Sequence, residues 1–159
     1  MERFERWREV MQAAEILEKE YGVPADIFSV PSFNELRREA LDVERGNSLN
    51  PDRPAKVPYV RECLGDRSGP FIAATDYMKI FADQIRQWVP GRYVVLGTDG
   101  YGRSDSRERL RQHFEVNAAH VVVASLKALA DEGKLDVKTV KAAMQKFGID
   151  PAKPNPVTQ

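Results

Sequence analysis

The sequence predicts an α/β fold, a three-layer sandwich with helices on both faces of a mostly parallel sheet. Three observations predict it. Short runs rich in β-forming residues, Ala25–Val30 (ADIFSV), Pro70–Ala74 (PFIAA) and Arg92–Gly97 (RYVVLG), each precede a stretch with helical signals. The order that results, strand then helix three times over, requires parallel pairing through right-handed crossovers. The PFIAA run is apolar throughout, as befits a strand buried on both faces.

Taken in order, Phe4, Trp7, Met11, Ala14, Leu17 and Tyr21 recur every three or four residues, one stripe of a helix that Gly22 closes. After the first strand, Pro31 leads to Ser32 with Glu35 three residues on, a capping box that opens a helix over Phe33–Glu44. Arg45–Arg67 holds three prolines and little periodicity. It exceeds the ordinary connection of roughly 2–6 residues and reads as a long loop with a job or a neighbour to pack on. Beyond the second strand, Thr75 or Asp76 caps a helix through Trp88 whose buried stripe is Tyr77, Phe81, Ile85 and Trp88. Pro90-Gly91 turns the chain into the 92–97 strand, the clearest of the three.

The loop Thr98–Ser104 follows, and Asp105 with Glu108 opens a short helix. Asn117 caps AAHVVVASLKALADE, where Val121–Val123 suggest a strand but the Ala-rich continuation and Gly133 favour one helix. Asp136 caps a last helix ending before Gly148. One folding unit is expected over residues 1–150. The tail 151–159 (PAKPNPVTQ), with three prolines and only Val157 to offer a core, is expected to lie extended on a surface or stay mobile.

Composition narrows the function. Lys plus Arg number 24 and Asp plus Glu number 24, so the formal net charge is zero and no global field draws the chain to nucleic acid or an anionic membrane. No apolar run spans a bilayer, and the opening MERFERWREV is charged where a signal peptide is apolar, which reads as a cytoplasmic chain. Cys63 is alone, so neither an internal disulfide nor a structural zinc site is expected.

The strongest local feature is GTDGYGRSD, Gly97, Thr98, Asp99, Gly100, Tyr101, Gly102, Arg103, Ser104 and Asp105, set between the best strand and a capped helix. Open α/β sheets bind ligands at the carboxyl ends of their strands. The glycines permit close backbone approach, and Arg103 and Ser104 supply donors for an anion. The Rossmann spacing and the Walker lysine are both lacking, however, so a loop shaped to pack on another domain or subunit is the stronger reading. His113 and His120 lack metal-ligand spacing and are expected on the surface or in hydrogen-bonded packing. Asp26, Asp76 and Asp99 fall near strand ends, with Asp76 read as a helix cap and Asp99 as a turn residue. The ERFERWRE segment is a solvated helix face, on which Phe4 and Trp7 mark a contact surface unless this chain covers them.

Three stretches, Arg8–Arg45, Ala73–Leu135 and Lys146–Gln159, resemble in order the C-terminal region of the homodimeric bacterial pyruvate dehydrogenase E1 component. GTDGYGRSD and SFNELRREALDVER carry the resemblance. It implies a transketolase-type C-terminal domain with a mixed sheet, in an enzyme that decarboxylates pyruvate with thiamine diphosphate and Mg²⁺ and passes the acetyl unit to the lipoyl group of the dihydrolipoamide acetyltransferase. In that family the cofactor and the active-site histidines belong to the two preceding domains of a dimer, and no positions here match those motifs. No catalytic, cofactor or metal residue is therefore expected in this chain, which should be silent alone.

The partners implied are the remaining E1 domains, a second E1 subunit and the acetyltransferase. The family also enters the Arg8-Glu9-Val10 position from an apolar strand, where MERFERW stands here, so the sheet is expected to lack the family's first strand and the domain to be truncated on that side. Two alternatives are a stand-alone module holding a small anion at the Gly97–Asp105 loop, and a degenerate remnant with no independent role.

Overall fold

The computed structural model describes the backbone of residues 3–158 and the side chains of residues 8–158, so Phe4 and Trp7 lie outside the described side chains. The helices are α1 (Arg3–Tyr21), α2 (Phe33–Leu49), α3 (Tyr59–Leu64), α4 (Lys79–Asp83), α5 (Arg107–His113), α6 (Ala118–Asp131) and α7 (Val137–Lys146). Two strands, β1 (Phe71–Ala74) and β2 (Tyr93–Leu96), and two 3₁₀ turns, Arg86–Trp88 and Pro156–Thr158, complete the described elements.

The strands pair in parallel, Phe71 opposite Tyr93 through Ala74 opposite Leu96, and the crossover between them carries α4. Side chains alternate across the pleat. Ile72, Ala74 and Leu96 face a core built from Ala13 and Leu17 of α1, Val122 and Leu126 of α6, and Val140 and Ala143 of α7. Phe71, Ala73, Tyr93 and Val95 face a second core of Ala40, Val60, Ile85 and Trp88. The three layers and the parallel pairing read from the sequence are therefore present.

Several details differ from the sequence reading. Ala25–Val30 forms no strand; Ile27, Phe28 and Val30 are exposed, and no described segment pairs with them. β-propensity describes a fit to a half-buried pleated surface, and here that surface is missing. Instead the Arg67 guanidinium lies 5.5 Å from the Phe28 ring centroid and bonds Asp26.

The stretch 45–67 is shorter as a loop than expected, because α2 runs on to Leu49 and α3 forms inside it behind Pro58. The Asn47 side chain clasps both backbone polar groups of Lys56 at 2.8 Å and closes what remains.

The helix expected from Thr75 to Trp88 is broken into α4 and a 3₁₀ turn, with Ile85 and Trp88 buried but Tyr77 and Phe81 exposed. Thr98 donates to the carbonyls of Tyr77 (2.9 Å, backbone) and Asp76 (2.8 Å, hydroxyl), so these groups are engaged outside a helix and α4 starts only at Lys79. On α1, Leu17 is buried as expected, but Ala13 is buried with it and Met11 is exposed.

The local caps hold where the sequence places them for α2, α6 and α7: the side chains of Ser32, Asn117 and Asp136 accept from backbone N–H groups of Glu35, His120 and Lys138. For α5 the cap is Ser106 rather than Asp105, whose carboxylate instead accepts the Ser106 N–H at 2.7 Å.

A non-local tie joins α1 to α5 and α6. The Glu9 carboxylate on α1 accepts the Ala118 N–H (2.8 Å), the first residue of α6, and the Arg111 guanidinium (3.2 Å) on α5. Both side chains are mostly covered, Arg111 16% and Glu9 24% exposed, so screening is weaker than at the surface. Glu9→Ala leaves a helix-terminal N–H and a guanidinium without partners and is expected to destabilise the fold by about 1–3 kcal/mol, read as a lower urea midpoint with unchanged slope. Glu9→Gln should recover part of that loss by keeping an acceptor for Ala118.

Candidate functional site

The carboxyl ends of both strands emerge on the same edge, and the loops that follow are tied into one platform. The ladder extends past β1 through Thr75 N–H to Leu96 C=O at 3.0 Å. Thr98 then holds the Asp76-Tyr77 backbone, and the Asp99 carboxylate accepts the Lys79 N–H at 3.0 Å. Asp99 thus caps α4 from another segment, where the sequence suggested a turn residue; Asp76 supplies no cap to α4.

Two of the three glycines are explained by self-contact. A Cβ on Gly97 would lie 2.7 Å from the Tyr77 carbonyl oxygen and 2.8 Å from the Lys79 nitrogen. Gly100 has φ +124°, and a Cβ there would lie 2.4 Å from the Pro156 carbonyl oxygen. Gly102 has nothing within 4 Å. The backbone approach these glycines permit is thus filled by the chain's own backbone at Gly97 and Gly100.

The contact at Gly100 comes from the tail. Rather than lying extended, residues 150–158 turn at Asp150–Lys153 and end in the 3₁₀ turn with Pro156 buried, while Val157 is exposed. The Lys153 ammonium donates to the carbonyls of Gln112 (3.1 Å) and His113 (2.6 Å) and to the Glu115 carboxylate (3.1 Å). It thereby satisfies the end of α5, where Glu115 adopts φ 62°. The tail therefore fixes the loop at one point and α5 at another.

What the platform shows to solvent is apolar and aromatic. Tyr101 is 77% exposed, and Tyr77 (60%), Met78 (51%) and Ile80 (63%) stand on the segment that Thr98 and Asp99 hold. The Tyr77 and Phe81 rings meet edge to face at 6.0 Å. Beside them, Arg103, Ser104 and Asp105 of the loop and Arg109, Leu110 and His113 of α5 line an open concavity of about 360 Å³. Burial pushes the His113 imidazole below its ordinary range, and the nearby Arg103 and Lys153 charges push it the same way against Glu115.

The remaining candidates are structural. His120 hydrogen-bonds Asn117 Oδ1 through its Nδ1 at 2.6 Å, and burial lowers its pKa against the opposing pull of Glu115. Asp26 is engaged by Arg67, and Cys63 is half-buried on α3. Among the described residues no group of three or more His, Cys, Asp and Glu is placed to hold a metal ion, and no helix is long and apolar enough to cross a membrane. Sequence reasoning missed the Asp99 cap and the tail's grip on Gly100, both contacts between distant segments with no local signature.

Residues 6–117 match the family described as the transketolase-like TK C-terminal domain. The chain belongs to that family. It is also similar to the pyruvate dehydrogenase E1 components of Pseudomonas aeruginosa (59% identical over 151 residues), Escherichia coli (55% over 150) and Cupriavidus necator (52% over 152). These alignments cover 94%, 94% and 96% of this chain but 17% of each relative, so the chain spans about a sixth of the length of the curated relatives it matches.

The two glycines flanking the motif's centre give opposite expectations. Gly100→Ala forces both an unfavourable φ and a collision with Pro156, and should cost about 1–3 kcal/mol and displace the tail. Gly102→Ala should change stability by less than about 0.5 kcal/mol, the ordinary surface value. Thermal melts, with the amide NMR signals of Val157 and Thr158 as the reporter of the tail, separate the two.

Proposed function

We propose that this chain serves as the C-terminal lobe of a pyruvate dehydrogenase E1-type enzyme, and that it acts by docking rather than by chemistry of its own. The reading extends the folded lobe over residues 1–150, with 151–159 as the tail that clasps it. Its partners are the other E1 domains and a second E1 subunit, with the dihydrolipoamide acetyltransferase of the complex as a further one, in the cytoplasm. The reaction is oxidative decarboxylation of pyruvate and transfer of the acetyl unit to a lipoyl group.

The observation that carries the docking role is the platform itself. Its apolar side chains stand on two loops cross-linked by backbone and carboxylate hydrogen bonds, and that backbone is rigid where an anchor has to be pre-positioned. Tyrosine is among the residue types enriched as such anchors, and Tyr101 stands exposed on the loop with Arg103 as its polar neighbour.

Among the described residues no ready-made metal cluster is offered to thiamine diphosphate and Mg²⁺. A diphosphate-bound Mg²⁺ needs carboxylates with free oxygens aimed at a common point. Asp99 is spent on α4 and Asp26 on Arg67, and no acidic cluster stands in for them among the described residues. In this reading the cofactor is held by the other E1 domains.

The test places this sequence in the matching segment of the Pseudomonas aeruginosa E1 component. Tyr101→Ala combined with Ile80→Ala should weaken dimer affinity about tenfold or more, as loss of a central aromatic anchor does, with the thermal midpoint of the isolated chain unchanged. Dimer affinity and activity equal to the unsubstituted chimera would remove the docking role.

A further inference from the structure

We propose that the concavity between the Gly97–Asp105 loop and α5 binds a small phosphate-bearing anion, with Arg103 and Arg109 as its two charged donors. The cavity of about 360 Å³ lies within the roughly 300–1,000 Å³ of small-molecule sites. It has room for a phosphate with a small organic portion attached.

The donor set is chemically coherent. Arg103 comes from the loop and Arg109 from α5, so two guanidinium groups on different elements face one space. Neither makes an ion pair among the described residues, whereas the neighbouring cations Arg111 and Lys153 are held by Glu9 and Glu115. Planar guanidinium forks recognise phosphate oxygens bidentately, and the Ser104 hydroxyl and the His113 ring add neutral hydrogen-bonding groups to the same wall.

The opposing charge is Asp105, which also lines the space. Its carboxylate accepts the Ser106 N–H at 2.7 Å, so part of its acceptor capacity is already used. The sign is still net positive across the two arginines and one aspartate, and Asp105 limits rather than abolishes anion affinity. Leu110 gives the organic portion an apolar wall.

Both sides of the site are braced. Gly100 against Pro156 and Asp99 on Lys79 fix the loop, and Lys153 and the Glu9–Arg111 pair fix α5. Two donors held by separate braced elements lose little freedom on binding, the condition under which a shallow site binds at all.

The site is independent of the docking reading, since it is assayed on this chain without any other domain. Inorganic phosphate and glycerol 3-phosphate are titrated into the ¹⁵N-labelled chain at constant ionic strength, with chloride as the control. Saturable shifts confined to Ser104, Asp105, Arg109 and His113 are expected, and tighter binding of the ester than of free phosphate identifies the ester as the ligand class. Arg103→Gln and Arg109→Gln should each weaken binding about tenfold, Asp105→Asn should strengthen it, and Arg45→Gln on α2 should leave it unchanged. Thermal melts of each variant verify the fold. Absence of saturable shifts for both probes, or shifts that persist in the double arginine variant, would overturn the proposal. Unchanged dimer affinity in the Tyr101→Ala, Ile80→Ala chimera with phosphate binding intact would remove only the earlier reading.

Discussion

A four-residue parallel pair is the constraint on which the rest depends. Two such strands are too short to be stable alone, and parallel pairing succeeds only when both faces are covered. Here the register Phe71–Tyr93 to Ala74–Leu96 sends alternate side chains into two separate cores, so the strand pair joins the two helical layers. The same pair points both following loops to one edge, where they are tied to each other.

The hydrogen bonds at that edge turn a topological consequence into a rigid object. Thr98 and Asp99 reach across to residues 76–79, and Pro156 closes on Gly100 from the tail. Polar groups that would extend a helix or accept a phosphate are thereby committed to internal contacts, while tyrosine, methionine and isoleucine side chains are left outward. That division leaves an apolar platform at the strand ends and, beside it, a concavity lined by Arg103 and Arg109.

Much of this was legible in the sequence where the signal is local. Ser32, Asn117 and Asp136 mark helix starts because their side chains cap groups two or three residues away, and Gly22, Gly133 and Gly148 mark ends because positive φ is needed there. The strands at 71–74 and 93–96 announce themselves by continuous apolar residues. Ala25–Val30 carries equal propensity and fails, since a strand exists only when a neighbour accepts its hydrogen bonds. α3 was hidden by the prolines around it, although Pro58 is well suited to open a helix rather than prevent one. The loop 97–105 follows β2 and precedes α5 as the sequence suggested, but the reason for its glycines was not readable: Gly97 answers to Tyr77 and Lys79, and Gly100 to a residue 56 positions on.

The central claim is that this lobe supports chemistry carried out by other polypeptide. The most direct measurement is carbon dioxide release from labelled pyruvate by the purified chain, supplied with thiamine diphosphate, Mg²⁺ and an artificial electron acceptor. The account predicts release no faster than in the protein-free control, whatever the chain concentration. Release that is proportional to chain concentration and saturates with pyruvate would contradict it.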